Sequence, residues 1–304
     1  MNEDIPMPSV ILVTGASTGI GHLSARALAA DGHTVYASMR DVDGRNAAQA
    51  EGLRRFGAEQ SGALHALELD VSSQASADAA IARVLAEQGR LDIVVHNAGH
   101  LAMGPTEAFT PEEIVQVLDT NLLGTQRVNR AALPAMRSRG SGLLVWVSST
   151  TVRGGFPPFL GPYAAAKAAM DSLAVTLSYE LVRFGIETSI VVPGAFTRGT
   201  AHFPNAGRPA DTATVAAYEQ RYEGVMDQVA ARLSELTPPE ADPQAVADAI
   251  ARIVGSPPGS RPFRTVVDFI DDGAGEVTEV AERVRREFAQ RVGIGDLLQG
   301  VGRS

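Results

Sequence analysis

The chain contains no cysteine. That removes disulfides, thiol nucleophiles and cysteinyl metal sites together, and it suits a reducing compartment, so a cytoplasmic location is expected. Positive charge is scarce as well: 26 Lys and Arg stand against 35 Asp and Glu, for a formal net charge of -9. Without a basic run to track a phosphate backbone, a nucleic-acid partner is not expected. Long apolar runs are missing too. The stretch VILVTGAS breaks at Gly15, far short of a membrane span, and the acidic start MNEDIPMPSV is unlike a secretion signal, so no membrane partner is expected. The six histidines (His22, His33, His65, His96, His100 and His202) show neither an H-x-x-x-H spacing nor a paired carboxylate motif. No metal is expected, and each histidine is read as structural. No G-x-S-x-G follows a strand, which leaves a serine hydrolase without support.

What is present is a regular alternation. Apolar, β-branched runs at residues 10–13, 34–39, 64–69, 93–96, 143–147, 188–192 and, more weakly, 265–269 are separated by Ala-rich helical stretches. This is the pattern of an α/β protein whose parallel sheet carries helices on both faces. At 304 residues and 45% hydrophobic the chain can bury a full core. No linker separates two domains, and the Pro/Gly-rich stretches 203–211, 237–243 and 255–262 read as loops of a C-terminal lobe. One helix start is explicit: Thr110-Pro111-Glu112-Glu113 reads as an N-cap, a proline in the first helical position and a capping-box glutamate. Residues 276–291 form an amphipathic, charged helix, read as solvated or as a subunit contact.

Two motifs carry chemistry. Thr14-Gly15-Ala16-Ser17-Thr18-Gly19-Ile20-Gly21 lies between the first strand and the helical run 22–30. Glycines there allow a tight turn and let backbone N–H groups approach a pyrophosphate at a helix N-terminus. The second is Tyr163-Ala164-Ala165-Ala166-Lys167 at the start of an Ala/Leu-rich helix, which puts a phenol and an ammonium one turn apart on one face. A free phenol has a pKa near 10. An adjacent cation is expected to bring it toward the working range.

In this order, the TGxxxGxG loop, Asn97-Ala98-Gly99 after the fourth strand and Tyr163-x-x-x-Lys167 resemble the short-chain dehydrogenase/reductase family, in particular its hydroxysteroid and retinol dehydrogenase-like members. The resemblance implies a doubly wound Rossmann fold with a seven-stranded parallel sheet. It implies one domain over 1–304, with a cofactor-binding and catalytic core at 8–195 and a substrate-covering lobe at 196–304. It implies hydride transfer between a nicotinamide nucleotide and a carbonyl or alcohol, with Tyr163 as acid/base and Ser149 orienting the carbonyl oxygen. Lys167 would lower the tyrosine pKa and hold the nicotinamide ribose, and Asn121, in the helix opened at Thr110, would hold a water that links the lysine to solvent. Ser149 and Tyr163 lie fourteen residues apart where thirteen is commoner, which makes Thr150 a rival for the serine's place.

For the nucleotide, the resemblance implicates Gly15, Ser17, Thr18, Gly19, Ile20 and Gly21. It adds Asp70 and Val71 at the adenine, Asn97, Ala98 and Gly99 beside the ribose, and Pro193, Gly194, Phe196 and Thr197 at the carboxamide. At the end of the second strand Met39 stands where an acid would mark NAD, and Arg40 follows with a guanidinium suited to a 2′-phosphate. NADP(H) is therefore expected ahead of NAD(H), although Thr18 stands where many NADP-binding relatives place a second basic residue. Substrate contacts are expected from residues 151–162, with Phe156, Pro157, Pro158 and Phe159, and from residues 196–236, with Phe203, Tyr218 and Tyr222. These suggest a lipophilic or aromatic carbonyl or alcohol, and the family implies a homodimer or homotetramer. The rival functions are an epimerase or dehydratase on the same scaffold, whose glycine loop differs, and a non-catalytic nucleotide-sensing protein, which would show a broken Ser-Tyr-Lys set.

Overall fold

The computed structural model describes residues 8–60, 63–200 and 202–298; the acidic start read above therefore lies outside the described residues up to residue 7. Seven strands form one parallel sheet in the order β3-β2-β1-β4-β5-β6-β7. They are β1 (Val10–Val13), β2 (Thr34–Met39), β3 (Ala63–Glu68), β4 (Ile93–His96), β5 (Gly142–Val147), β6 (Ile186–Pro193) and β7 (Arg264–Val267). Around them run helices α1 (Gly19–Ala30), α2 (Ala47–Ala58), α3 (Gln74–Gln88), α4 (Pro111–Leu118), α5 (Gly124–Arg139), α6 (Gly161–Leu181), α7 (Thr212–Arg221), α8 (Val225–Leu236), α9 (Gln244–Gly255) and α10 (Ala274–Arg291). The doubly wound architecture expected from the alternation is the one observed.

Alternation along each strand divides the core in two. Val10 and Leu12 face one way, into a cluster with Trp146 from β5, Ile81 from α3, Met136 from α5 and Met170 from α6. Ile11 and Val13 face the other way, into a cluster with Leu28 from α1, Leu53 from α2 and Ile250 from α9. A strand buried on both faces reads as a continuous apolar run, which explains why the strands are so visible in the sequence. The sixth strand is the one most underestimated, because Glu187 interrupts its apolar pattern. That carboxylate accepts hydrogen bonds from Arg261 Nη1 at 2.5 Å and from the Gly259 N–H at 2.8 Å, so the strand starts two residues before 188.

The chain reverses its winding direction between β1 and β4, and the crevice at the carboxyl ends of those strands is where a doubly wound sheet binds ligands. Helix α4 opens on the expected capping box, with the Glu113 N–H donating to Thr110 Oγ1 at 3.2 Å and the Thr110 N–H to Glu113 Oε2 at 2.9 Å. Thr110→Ala is expected to cost about 1 kcal/mol of unfolding free energy. Urea denaturation checks it, and an unchanged midpoint would deny the cap that role. After α4 the chain does not run straight on as a helix. Residues Asp119–Leu123 widen into a π-helical turn, and Asn121 sits in that turn rather than in a regular α-helix. Such bulges re-aim one side chain inward.

Candidate active site

A cavity of about 760 Å³ opens over the carboxyl ends of the strands, from the glycine loop at one end to Tyr163, Lys167 and the C-terminal lobe at the other. Gly15 (φ +68°) lies so close to Ala98 that an added Cβ would stand 2.8 Å from its Cα, so this approach needs glycine twice over. Thr14 and Asn97 lock the loop in place. Thr14 Oγ1 accepts the N–H groups of Asn97 and Ala98, both at 3.0 Å, while Asn97 Nδ2 donates to the carbonyls of Thr14 at 2.9 Å and Gly15 at 3.1 Å. Gly21 is buried against Asn97 and does not face the cavity, so its smallness serves packing.

Of the expected nucleotide contacts, Gly15, Ser17, Thr18, Gly19, Ile20, Arg40, Asp70, Val71, Asn97, Ala98, Gly99, Pro193, Gly194 and Phe196 all line the cavity. Thr197 does not; Thr200, which approaches Gly19, takes a place on the wall instead. Three residues after β2 that the sequence reading passed over, Arg45, Asn46 and Gln49, also line it. Burial pushes the Asp70 carboxyl up, but hydrogen bonds from the Ser72 hydroxyl and N–H and the charges of Arg40 and Arg127 outweigh it and hold the group below the usual carboxylate range. These residues suit a dinucleotide. Positive-φ glycines open the strand-to-helix turn, Arg40 and Arg45 supply cationic forks, and Gln49 Oε1 is a buried acceptor with no hydrogen-bond partner among the described residues.

At the other end, Ser149, at the exit of β5, lies beside the Tyr163 phenol, and its Oγ accepts the Thr151 N–H at 3.3 Å and the Thr151 hydroxyl at 3.0 Å. Thr150 also lines the cavity, its hydroxyl near the Asp272 carboxyl, where it opposes the upward push of burial. Tyr163 and Lys167 stand one turn apart on α6, both buried, and Lys167 Nζ donates to the Val147 carbonyl at 2.9 Å. Burial pushes the Tyr163 phenol up to about 12, opposed only by the Ser149 hydrogen bond, and burial pulls the Lys167 ammonium down to about 8 against the Asp171 charge. In this arrangement burial outweighs the lowering of the tyrosine pKa expected from lysine. Desolvation dominates; the ammonium donates to the Val147 carbonyl and lies 6.0 Å from the centre of the phenol ring.

Asn121 is fully buried behind Gly99 and is not on the cavity wall. Its Oδ1 accepts the His100 N–H at 3.2 Å, and its Nδ2 donates to the carbonyls of His100 and Val117, both at 2.9 Å. These bonds clamp the segment that follows Asn97-Ala98-Gly99. A Cβ on Gly99 would approach both Asn121 Oδ1 and Lys167 Nζ, so the two side chains meet at that glycine.

Two histidines read as structural also reach the cavity. His202 packs edge-on against Tyr163, ring centres 5.6 Å apart, and His100 faces the same space. Burial, with the charge of Lys167 and then that of His100, holds His202 down at about 4, so its ring is neutral. Spacing along the chain signals neither residue, since their proximity depends on a long loop folding back. Among the expected substrate contacts, Phe156, Pro157 and Phe203 line the cavity, while Pro158, Phe159, Tyr218 and Tyr222 do not. Phe159, Tyr218 and Tyr222 form an aromatic cluster of their own that fastens the loop to α7. Among the described residues no group of acidic or histidine side chains is placed to hold a metal ion, and no helix is long and apolar enough to cross a membrane.

The fold and this site define a nucleotide-binding oxidoreductase scaffold, and comparison with known proteins gives the family. The model of the short chain dehydrogenase family matches residues 9–208, and the chain belongs to that family. It is similar to the 3-ketodihydrosphingosine reductase of Bacteroides thetaiotaomicron, 33% identical over 63% of this chain and 65% of that one. It is similar to human 17-beta-hydroxysteroid dehydrogenase type 1, 40% identical over 61% of this chain and 56% of that one. The match thus spans less than two thirds of either relative. Among solved structures it resembles an actinorhodin polyketide ketoreductase in complex with NADPH, with a TM-score of 0.70, 28% identity, and 88% of this chain and 97% of that one covered.

Proposed function

We propose that the protein is an NADP(H)-dependent oxidoreductase that interconverts a ketone or aldehyde with its alcohol, on a lipophilic or aromatic substrate. The observation that carries this reading is the assembly of Ser149, Tyr163 and Lys167 at the floor of a cavity that is continuous with the glycine loop. When bound, the nicotinamide nucleotide supplies the hydride. Tyr163, protonated across the neutral range, donates its phenolic proton to the carbonyl oxygen, and Ser149 donates a second hydrogen bond that orients and polarises that oxygen. The Lys167 ammonium stabilises the phenolate left behind, and Asn121 holds the backbone around it. Phe156, Leu160, Phe203 and Leu233 give the cavity its apolar wall. A nucleotide sensor without chemistry would have no need of this buried acid–base set.

NADP(H) is favoured because two guanidinium groups, Arg40 and Arg45, line the end of the cavity beyond β2, where Met39 leaves no carboxylate to repel a 2′-phosphate. The second basic contact missing at Thr18 is thus supplied from the turn after the strand. Titration of nucleotide fluorescence is expected to show NADPH bound at least about tenfold more tightly than NADH, with most of the preference lost in Arg40→Ala and part of it in Arg45→Ala. Equal affinities in the unaltered protein would overturn the assignment and leave the Tyr163 chemistry standing.

A homodimer or homotetramer belongs to the same proposal. Val277, Val280, Val284 and Phe288 form an exposed apolar stripe along α10, which supports a subunit contact. Sedimentation at micromolar concentration tests it, and a monomer there would dismiss it.

A further inference from the structure

We propose that His202 is a specificity-determining residue that hydrogen-bonds a second oxygen of the substrate, so that the preferred substrates are ketones carrying an ester, acyl or hydroxyl oxygen within a few bonds of the reacting carbonyl. This rests on the carbonyl-reductase reading of the site and goes further by naming the functional group beside the carbonyl.

The loop that bears His202 is held over the site by the backbone. Gly207 pairs with the segment after Asn97-Ala98-Gly99: its N–H donates to the Leu101 carbonyl at 2.8 Å, and its carbonyl accepts the Met103 N–H at 2.9 Å. Further along, the Ala210 N–H donates to Glu113 Oε1 at 2.9 Å. Between these anchors and Thr200, the imidazole meets the Tyr163 ring edge-on at 5.6 Å and the Phe203 ring edge-on at 6.3 Å. Its contacts are to ring faces and edges. Among the described residues neither ring nitrogen is engaged in a hydrogen bond, while His96, the buried histidine of β4, is tied to Asn129 at 2.8 Å. A neutral imidazole offers one donor and one acceptor, so it can meet a carbonyl, an ester or a hydroxyl oxygen equally well.

Position decides what it can reach. An oxygen bound by Tyr163 and Ser149 lies at the phenol end, and the next few atoms of the same molecule pass the imidazole edge. His100, whose charge acts on the imidazole, shares this part of the cavity, so two polar rings stand here among the apolar side chains of Leu101, Leu160 and Phe203. Phe156, Leu160 and Ile270 also line the cavity and suit a hydrocarbon or aromatic body. A purely apolar ketone would leave the imidazole desolvated without a partner, which selects against it.

Two ketones of the same length separate the possibilities: ethyl benzoylacetate, which carries an ester beside the ketone, and hexanophenone, which replaces the ester by methylenes. With NADPH the unaltered protein is expected to favour the ester by at least about tenfold in kcat/KM. That ratio is expected to fall toward one in His202→Leu and to be kept in part in His202→Asn, with NADPH fluorescence confirming that both variants retain the nucleotide site. A ratio near one in the unaltered protein, or a ratio that His202→Leu leaves untouched, overturns the role of His202 while turnover of hexanophenone leaves the oxidoreductase reading intact. Failure to reduce either ketone with either nucleotide overturns both.

Discussion

Tyr163→Phe is expected to lower kcat/KM for ketone reduction by about 10²–10⁴-fold, the usual worth of a positioned general acid, while leaving NADPH affinity within about twofold. The substitution removes one oxygen from a buried ring and keeps its packing on Leu101 and Leu160, so a loss of activity cannot be blamed on a disturbed fold. The pH dependence separates the two titrating groups. With Tyr163 pushed up to about 12, its proton stays in place across the accessible range, and kcat/KM for reduction is not limited by it. Lys167, held down to about 8, is the group that titrates: below that pH the ammonium is present to stabilise the developing phenolate, and above it the charge is lost. Reduction is therefore expected to be level up to about pH 7 and to fall above about pH 8. Lys167→Arg should move that fall to higher pH, whatever it costs in rate. A Tyr163→Phe variant of undiminished activity would remove the phenol from the mechanism. A profile that is level to pH 10 would remove the lysine's titration.

The parts of this molecule that were readable in the sequence are those whose physics is local or strictly periodic. Strands buried on both faces announce themselves as apolar runs, and β1, β2 and β4 begin and end where those runs do. The capping box at Thr110 and the i, i+4 pair Tyr163 and Lys167 need only helix geometry. What was not readable depends on long-range closure. Phe159, Tyr218 and Tyr222 look like a substrate wall by composition, yet they pack on one another because the 150s loop and α7 converge there. His202 and His100 read as structural histidines, and the pairing of Gly207 with Leu101 and Met103 folds the loop bearing His202 over the cavity that His100 also lines. The balance at the tyrosine has a related cause: spacing places a cation nearby, but it does not show that the cation donates to the Val147 carbonyl or how deeply both groups are buried.

The same helix carries a second buried charge one turn beyond Lys167, and removing it is expected to have the largest effect on stability. Asp171 is held by Arg264 in a two-pronged pair, Nη1 to Oδ2 at 2.6 Å and Nη2 to Oδ1 at 2.9 Å, with the two side chains 2% and 3% exposed. It also accepts the Ser148 hydroxyl at 2.9 Å and faces Arg153 at 3.6 Å, so it ties α6 to β7 and to both ends of the serine-bearing turn. Asp171→Ala leaves the buried Arg264 guanidinium, and the half-buried Arg153, with little to answer them except Glu282, 3.6 Å from Arg264, and is expected to cost about 3–5 kcal/mol in urea denaturation. Arg232→Ala, which breaks an exposed pair, is expected to cost less than about 1 kcal/mol. The conservative change is the more informative one for chemistry. Asp171→Asn keeps a hydrogen-bond acceptor for Ser148 but removes the carboxylate charge, which is what raises the Lys167 pKa against burial. With that charge gone, the lysine loses its proton at lower pH, and the fall in reduction should begin below the value set in the unaltered protein. A variant that is destabilised but keeps the same pH profile would confine Asp171 to holding the fold. A profile displaced toward acid would show that the carboxylate also sets the charge beneath Tyr163.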